Sequence, residues 1–205
     1  MGRVHLRVPL RSFLIAVLGA CAYPAWTLTA SPLRPDLGAV PITWTIAIGL
    51  LWLAGFCFPL ALTVLPTKGH VLPDGARAFR LASLMAAAST GASLLLGLAI
   101  LRGGNPGAPG PAPTVMSWRD CLAVGLKVSV PTIVVSALAL RRLVLAESWR
   151  WGAAVGAAGG MLAGLTLHLT CSNCRPGHLL AHAGGIVAGA LLGVLTRLAL
   201  DRTGR

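Results

Sequence analysis

Two features of the 205-residue chain predict an all-α, polytopic membrane protein with six transmembrane helices. The first is a set of six apolar stretches of spanning length. The second is a one-sided distribution of basic residues in the segments between them. Composition agrees: 56% of residues are hydrophobic, 11% are charged, and the mean hydropathy is +0.79. Soluble domains carry about 25% charged residues.

The stretches follow in order. Ser12–Leu33, Ile42–Leu65, Leu81–Leu101, Gly152–Cys171 and Leu179–Thr196 contain no charged residue, and Leu122–Leu140 contains one, Lys127. Crossing a hydrocarbon layer ~30 Å thick takes about 20 helical residues, at 1.5 Å each. The expected spans are therefore about 12–32, 42–65, 81–101, 120–140, 151–170 and 178–197. The first also resembles a bacterial lipoprotein signal ending Leu18-Gly19-Ala20-Cys21. A glycine before alanine is unusual there, and the apolar run continues to Ala30, which favours a retained helix.

Lys and Arg counts orient the bundle. One side holds Arg3, Arg7, Arg11, Lys68, Arg77, Arg80, Arg141, Arg142, Arg150, Arg197, Arg202 and Arg205; the other holds only Arg34, Arg102, Arg119 and Arg175. Both termini are expected in the cytoplasm of a bacterium, with the chain multi-pass in the inner membrane. The net charge of +12 is then accounted for by anchors facing anionic membrane lipid. Nucleic acid is not an expected partner, because no basic run interleaved with aromatics accompanies the charge.

A single domain, 1–205, leaves no room for a soluble module. The longest connection, 102–119, has a Pro/Gly-rich core, Gly103-Gly104-Asn105-Pro106-Gly107-Ala108-Pro109-Gly110-Pro111-Ala112-Pro113, and reads as an extracytoplasmic linker. Along the fifth helix Gly152, Gly156, Gly160 and Gly164 recur every four residues, and along the sixth Gly185, Gly189 and Gly193 do the same. Such ridges let helix backbones approach each other in lipid. They suit an antiparallel pair within one chain, with a homo-oligomeric seam as the rival use.

Candidate chemistry gathers at the outer end of that pair. Cys171 and Cys174 are spaced C-x-x-C, with His168 three residues before and His178 and His182 after, four apart on one helical face. Thiolates and imidazoles are ligands for one soft or borderline ion such as Zn²⁺ or Cu⁺. A metal site from Cys171, Cys174, His168, His178 and His182 would require one small loop folded over the ion. The competing reading is redox, because thiols on an oxidising face tend to pair: Cys171 with Cys174, or Cys121 with Cys171. Cys21 and Cys57, inside spans, behave as small apolar residues. Lys127 lies near the outer surface and can snorkel to it.

Several of these segments resemble the NrsF-type membrane anti-sigma factors. The resemblance lies in Ser117-Trp118-Arg119-Asp120-Cys121, in Leu140-Arg141-Arg142, in the glycine-rich helix ending Leu167-His168 with Cys171 beyond, and in Leu33-Arg34-Pro35-Asp36-Leu37. It covers roughly residues 33–195. It implies six helices in a bacterial inner membrane and a partner, an extracytoplasmic-function sigma factor, held inactive on the cytoplasmic side. It also implies a stress-sensing role, for heavy metal or oxidant, for the cysteines matching Cys121 and Cys171. Extending that role to Cys174 and the histidines rests on their ligand chemistry. Family members carry a longer N-terminal segment than the eleven or so residues here, so either sigma-factor contacts fall to Pro66–Arg80 and Arg141–Trp151, or sigma binding has been lost, or the start codon is misassigned.

The function expected is therefore a membrane-embedded anti-sigma factor that acts in transcription regulation and is not an enzyme. No nucleophile–base pair, phosphate loop or paired carboxylate is visible. The alternatives are an accessory subunit of a larger membrane complex, docking through its glycine ridges, and a membrane thiol oxidoreductase, which usually needs a second cysteine pair in an outer loop.

Overall fold

Proline and glycine, more than any polar pattern, decide how these helices meet. The computed structural model describes residues 10–30, 33, 41–62, 75–102, 117–139, 148–171 and 176–203. The N-terminal tail, linker residues 103–116, residues 63–74 and 140–147 of the expected cytoplasmic connections, and Cys174 lie outside them. The described residues form six helices and no strand: α1 (Leu10–Ala30), α2 (Ile42–Leu62), α3 (Gly75–Arg102), α4 (Trp118–Ala139), α5 (Ser148–Thr170) and α6 (Pro176–Thr203). Five are long and apolar enough to cross a membrane, and the apolar part of α1, Leu14–Thr29, is shorter. The fold is all-helical, as the apolar runs predict. Helix α3 starts six residues before its charge-free run, and α6 continues to Thr203, well past the expected 197. Helical backbone satisfies its own hydrogen bonds, so it extends through basic turns such as Arg77 and Arg80 where hydrophobicity ends.

Helix α5 is the axis of the bundle. It has contacts with each of α1, α2, α3, α4 and α6, and 89% of its span is buried. Paired residues give the directions. Along α2, Thr45, Gly49, Trp52 and Gly55 meet His168, Leu165, Gly164 and Met161 of α5 in turn, so the two are antiparallel. Along α4, Cys121, Gly125 and Ile133 meet Cys171, Leu167 and Gly159, again antiparallel. Along α6, Gly185, Gly189 and Gly193 meet Gly160, Gly156 and Gly152. Helix α3 runs with α5: Phe79 lies against Trp149, and Ser93 reaches the level of Trp52. The starts of α2, α4 and α6 therefore surround the end of α5.

The α5–α6 seam is backbone against backbone. A Cβ on Gly152 would stand 2.6 Å from the carbonyl oxygen of Gly193, and one on Gly189 2.6 Å from that of Gly156. Lipid chains are as apolar as leucine, so this approach gains van der Waals contact that bulkier side chains would prevent. The ridge does not serve one partner throughout. Four residues advance a helix by roughly 400°, so the glycine line drifts about 40° at each step. By Gly164 it has left α6, and that position receives the ring of Trp52 from α2. Trp52 is 2% exposed, and its Nε1–H donates to Ser93 Oγ at 3.3 Å, giving the indole a polar partner inside the bundle. On another face of α5, Gly159 admits Ile133 of α4.

Three helices contain an internal proline: Pro24, Pro59 and Pro131. Pro24 has no N–H to offer the carbonyl four residues earlier, that of Ala20. Thr132 Oγ1 of α4 stands 3.3 Å from that oxygen and 2.8 Å from its own Val128 carbonyl, placed to donate to either. A carbonyl freed by proline in an apolar medium needs such a donor, and this one ties α1 to α4.

Candidate metal and thiol site

Each ligand candidate is held by the local start or end of a helix. Ser117 and Asp120 open α4 with a reciprocal capping box: Ser117 N–H and Oγ–H donate to the Asp120 carboxylate at 3.1 and 2.7 Å, and Asp120 N–H donates to Ser117 Oγ at 3.2 Å. Trp118 and Arg119 follow, the guanidinium 5.5 Å from the ring centre, as suits a membrane–water boundary. Cys121 comes next and points inward, fully buried. Its N–H donates to Ser117 O at 3.1 Å, so the thiol is fixed to the first turn. Cys171 is held at the opposite terminus of α5, its N–H donating to Leu167 O at 2.8 Å.

The two Sγ atoms lie 3.2 Å apart, inside a small apolar cluster with Leu167 and Val124. His182, buried in the second turn of α6, completes a group whose ligand atoms all lie within 4.8 Å of one another. Three helices thus contribute one ligand each. Two sulfurs bound to one tetrahedral ion at 2.3 Å would be ~3.8 Å apart, so a small rotation of either side chain suffices to accept it. Two thiolates and a neutral imidazole carry a charge of −2, which a divalent soft or borderline ion neutralises inside an apolar bundle. The donor set fits such an ion, and the described residues supply three of the four ligands of a tetrahedral site.

The residues singled out by sequence fall differently from the single-loop arrangement. Among the described residues, the grouping takes Cys121 from α4 together with Cys171 and His182. His168 turns toward α2 instead, its Nε2 3.3 Å from Thr45 O, and both residues are buried. Cys174 lies outside the described residues, as does the side chain of His178, which sits in the first turn of α6. Cys21 and Cys57 are half-buried thiols packed against the main core, and Lys127 is exposed on α4, away from the cluster. Thr45 carried no signal as a partner of His168. Pro24, by contrast, is a signal visible in the sequence that the Ala20 carbonyl needs another donor.

The other end of α5 has the opposite character. Arg197 of α6, 5% exposed, lies 5.4 Å from the centre of the Trp151 ring and pairs with Asp201 at 2.8 Å. Trp149 carries Arg150 over its face at 5.2 Å, and Phe79 of α3 meets its ring edge-on at 6.1 Å. A buried thiol–imidazole cluster and a cationic, aromatic end are therefore joined by one rigid helix.

Fold and site together define a multi-pass helical membrane protein with a Cys₂His cluster at one end of its bundle. Comparison with protein-family models, with curated proteins and with solved structures returns no match.

Proposed function

We propose that this protein is a membrane-embedded sensor in which Cys121, Cys171 and His182 receive a soft metal ion or an oxidant. In this reading it is an anti-sigma factor of the bacterial inner membrane. The observation that carries the proposal is the 3.2 Å approach of two buried thiols from different helices, with an imidazole from a third. A soft ion held by these residues crosslinks α4, α5 and α6. Oxidation does the same for α4 and α5: the two thiols lose two protons and two electrons to the oxidant and an S–S bond forms. Because α5 touches every other helix, a new tie at its end shifts the bundle as a unit.

The sigma-factor assignment is supported by the resemblance around Cys121 and Cys171 and by the basic bias, from which both termini are read as cytoplasmic. In that orientation the cluster faces the oxidising periplasm, and the Trp149–Arg150 end faces the partner. His168 holds α2 beside the site through Thr45, so α2 also follows any movement there.

Affinity purification of the full chain from its native membrane, in reduced and metal-loaded states, tests the assignment. An extracytoplasmic-function sigma factor should accompany the reduced protein and leave on loading. A sigma-dependent reporter should respond to the stress in wild type and stay silent with Cys121→Ser or Cys171→Ser. Recovery of a stable multi-subunit complex without a sigma factor would replace this reading with the accessory-subunit one.

A further inference from the structure

A soft ion and an oxidant make different demands on the same two thiols, and His182 is where the demands part. We propose that the two loadings exclude each other: formation of the Cys121–Cys171 disulfide expels the bound ion and releases His182, so the ion joins α6 to the site and oxidation lets it go. This rests on the reading of Cys121, Cys171 and His182 as a metal and thiol site.

The sulfur separation is suited to both states. The two Sγ atoms stand 3.2 Å apart. A disulfide brings them to ~2.05 Å, and one tetrahedral ion holds two thiolates ~3.8 Å apart. The observed distance lies between these, so small side-chain rotations reach either state while α4 and α5 stay in place. Both loadings use the same sulfurs, however, and a sulfur in a disulfide has no thiolate charge to offer a cation. After oxidation the described ligand group is reduced to the His182 imidazole. One neutral imidazole beside Leu167 and Val124 leaves a divalent ion without the charge that desolvated it. Asp120, adjacent to Cys121 in the chain, is committed to its capping box with Ser117.

The electron balance closes with a peroxide as oxidant. The two thiolates leave the ion, give up two electrons and join in an S–S bond. The peroxide O–O bond breaks, and its oxygens take those electrons with two protons from the medium and leave as two waters. The ion departs with its charge unchanged.

The glycine seam explains why α6 feels the difference. Its close backbone approaches are Gly152 with Gly193, Gly156 with Gly189 and Gly160 with Ile186. His182 stands one turn nearer the start of α6 than the last of these, and Cβ atoms at Gly184 and Gly185 would meet nothing within 4 Å. The first turns of α6 thus lie beyond the tight part of the seam, where a ligand bond fastens them to α4 and α5.

The experiment uses the purified full chain, reduced, loaded with Zn²⁺ in mild detergent and cleared of excess ion. Hydrogen peroxide is added stepwise, released Zn²⁺ is followed with a chromogenic chelator, and disulfides are mapped by peptide mass spectrometry. Wild type is expected to lose its ion in proportion to the Cys121–Cys171 disulfide. Hydrogen exchange in the first turns of α6 should slow about tenfold on loading and return to the ion-free rate on oxidation. His182→Ala should bind Zn²⁺ at least tenfold more weakly, yet form the same disulfide to the same extent as ion-free wild type. A wild type that keeps its Zn²⁺ while Cys121 and Cys171 are bonded overturns the proposal and leaves the metal reading standing. Ion release through a Cys171–Cys174 bond overturns it too, as does a His182→Ala chain that loses the disulfide together with the ion. A wild type that never takes up Zn²⁺ overturns both the proposal and the metal reading beneath it.

Discussion

Helices α3 and α5 run in the same direction through the same bundle, and both are long and apolar enough to span a membrane. Yet 17% of the α3 span is buried against 89% of the α5 span. Hydrophobicity does not separate them in the expected sense, since α5 is the less apolar of the two. Side-chain volume does. The inward faces of α5 are Gly152, Gly156, Gly159, Gly160, Gly164 and a set of buried alanines, whereas α3 turns Leu84 and Leu95 outward, each more than 60% exposed. In water the leucine-rich helix would be driven to the centre. In lipid, leucine gains little by leaving the surroundings, and the centre goes to the helix that lets its neighbours come closest.

Placing leucine at Gly156 should give the largest effect. Its Cβ would meet the Gly189 carbonyl carbon at 2.8 Å and Ala190 Cα at 3.0 Å, both backbone atoms that cannot rotate aside. Gly156→Leu should destabilise the bundle by about 3 kcal/mol, the upper part of the usual range for overpacking. Leu84→Ala on α3 should stay within ~0.5 kcal/mol, as exposed changes generally do. Reversible unfolding in mixed micelles measures both, and equal effects would break the contrast between the two helices.

Next in size is the cluster that the central position of α5 assembles. Reduced protein should bind about one Zn²⁺ or similar ion per chain, measured by elemental analysis after gel filtration. Cys121→Ser or Cys171→Ser should abolish binding, and His182→Ala should weaken it by at least tenfold. Because the thiols ionise on binding, affinity should fall as pH is lowered and protons should be released on loading. Full metal content in Cys121→Ser would separate α4 from the site.

A smaller effect sharpens the seam itself. A Cβ at Gly185 meets nothing within 4 Å, whereas one at Gly189 strikes the Gly156 carbonyl. Gly185→Ala should be neutral or slightly stabilising, since alanine is the better helix former by up to ~1 kcal/mol. Gly189→Ala should cost about 1–3 kcal/mol. The same unfolding assay distinguishes them. The smallest expected change is Ser93→Ala, which keeps the Trp52 ring over Gly164 and removes the acceptor of its Nε1–H. A loss of about 0.6 kcal/mol is typical for a hydrogen bond between membrane helices.

Much of this was legible in the residues. The charge-free runs located the six helices, with α3 starting and α6 ending six residues beyond expectation, because hydrogen-bonded helix is the form an isolated apolar segment can take in lipid. The four-residue glycine spacing marked α5 and α6 as a close pair. The ligand chemistry of Cys121, Cys171 and His182 could be read from their types alone. The approach of Cys121 to Cys171 was one of the two thiol pairings expected, and it is met because α4 packs antiparallel on α5. The choice of His182 over His168 could not be read, since sequence proximity drew Cys171, Cys174 and the histidines into one loop. The His168 imidazole instead meets a carbonyl from α2 more than a hundred residues earlier.

The sequence by itself determined an all-helical membrane chain, its approximate spans, the pair of glycine ridges and the stock of thiols and imidazoles. These follow from local properties, apolar length and side-chain size, that act wherever the residue lies. The tertiary structure alone decided that α5 is the axis, that Gly164 serves Trp52 while Gly160 serves α6, and that Cys121, Cys171 and His182 share one pocket. Those outcomes depend on how far each helix face has rotated by the time a neighbour reaches it, a quantity set by all the packed helices together.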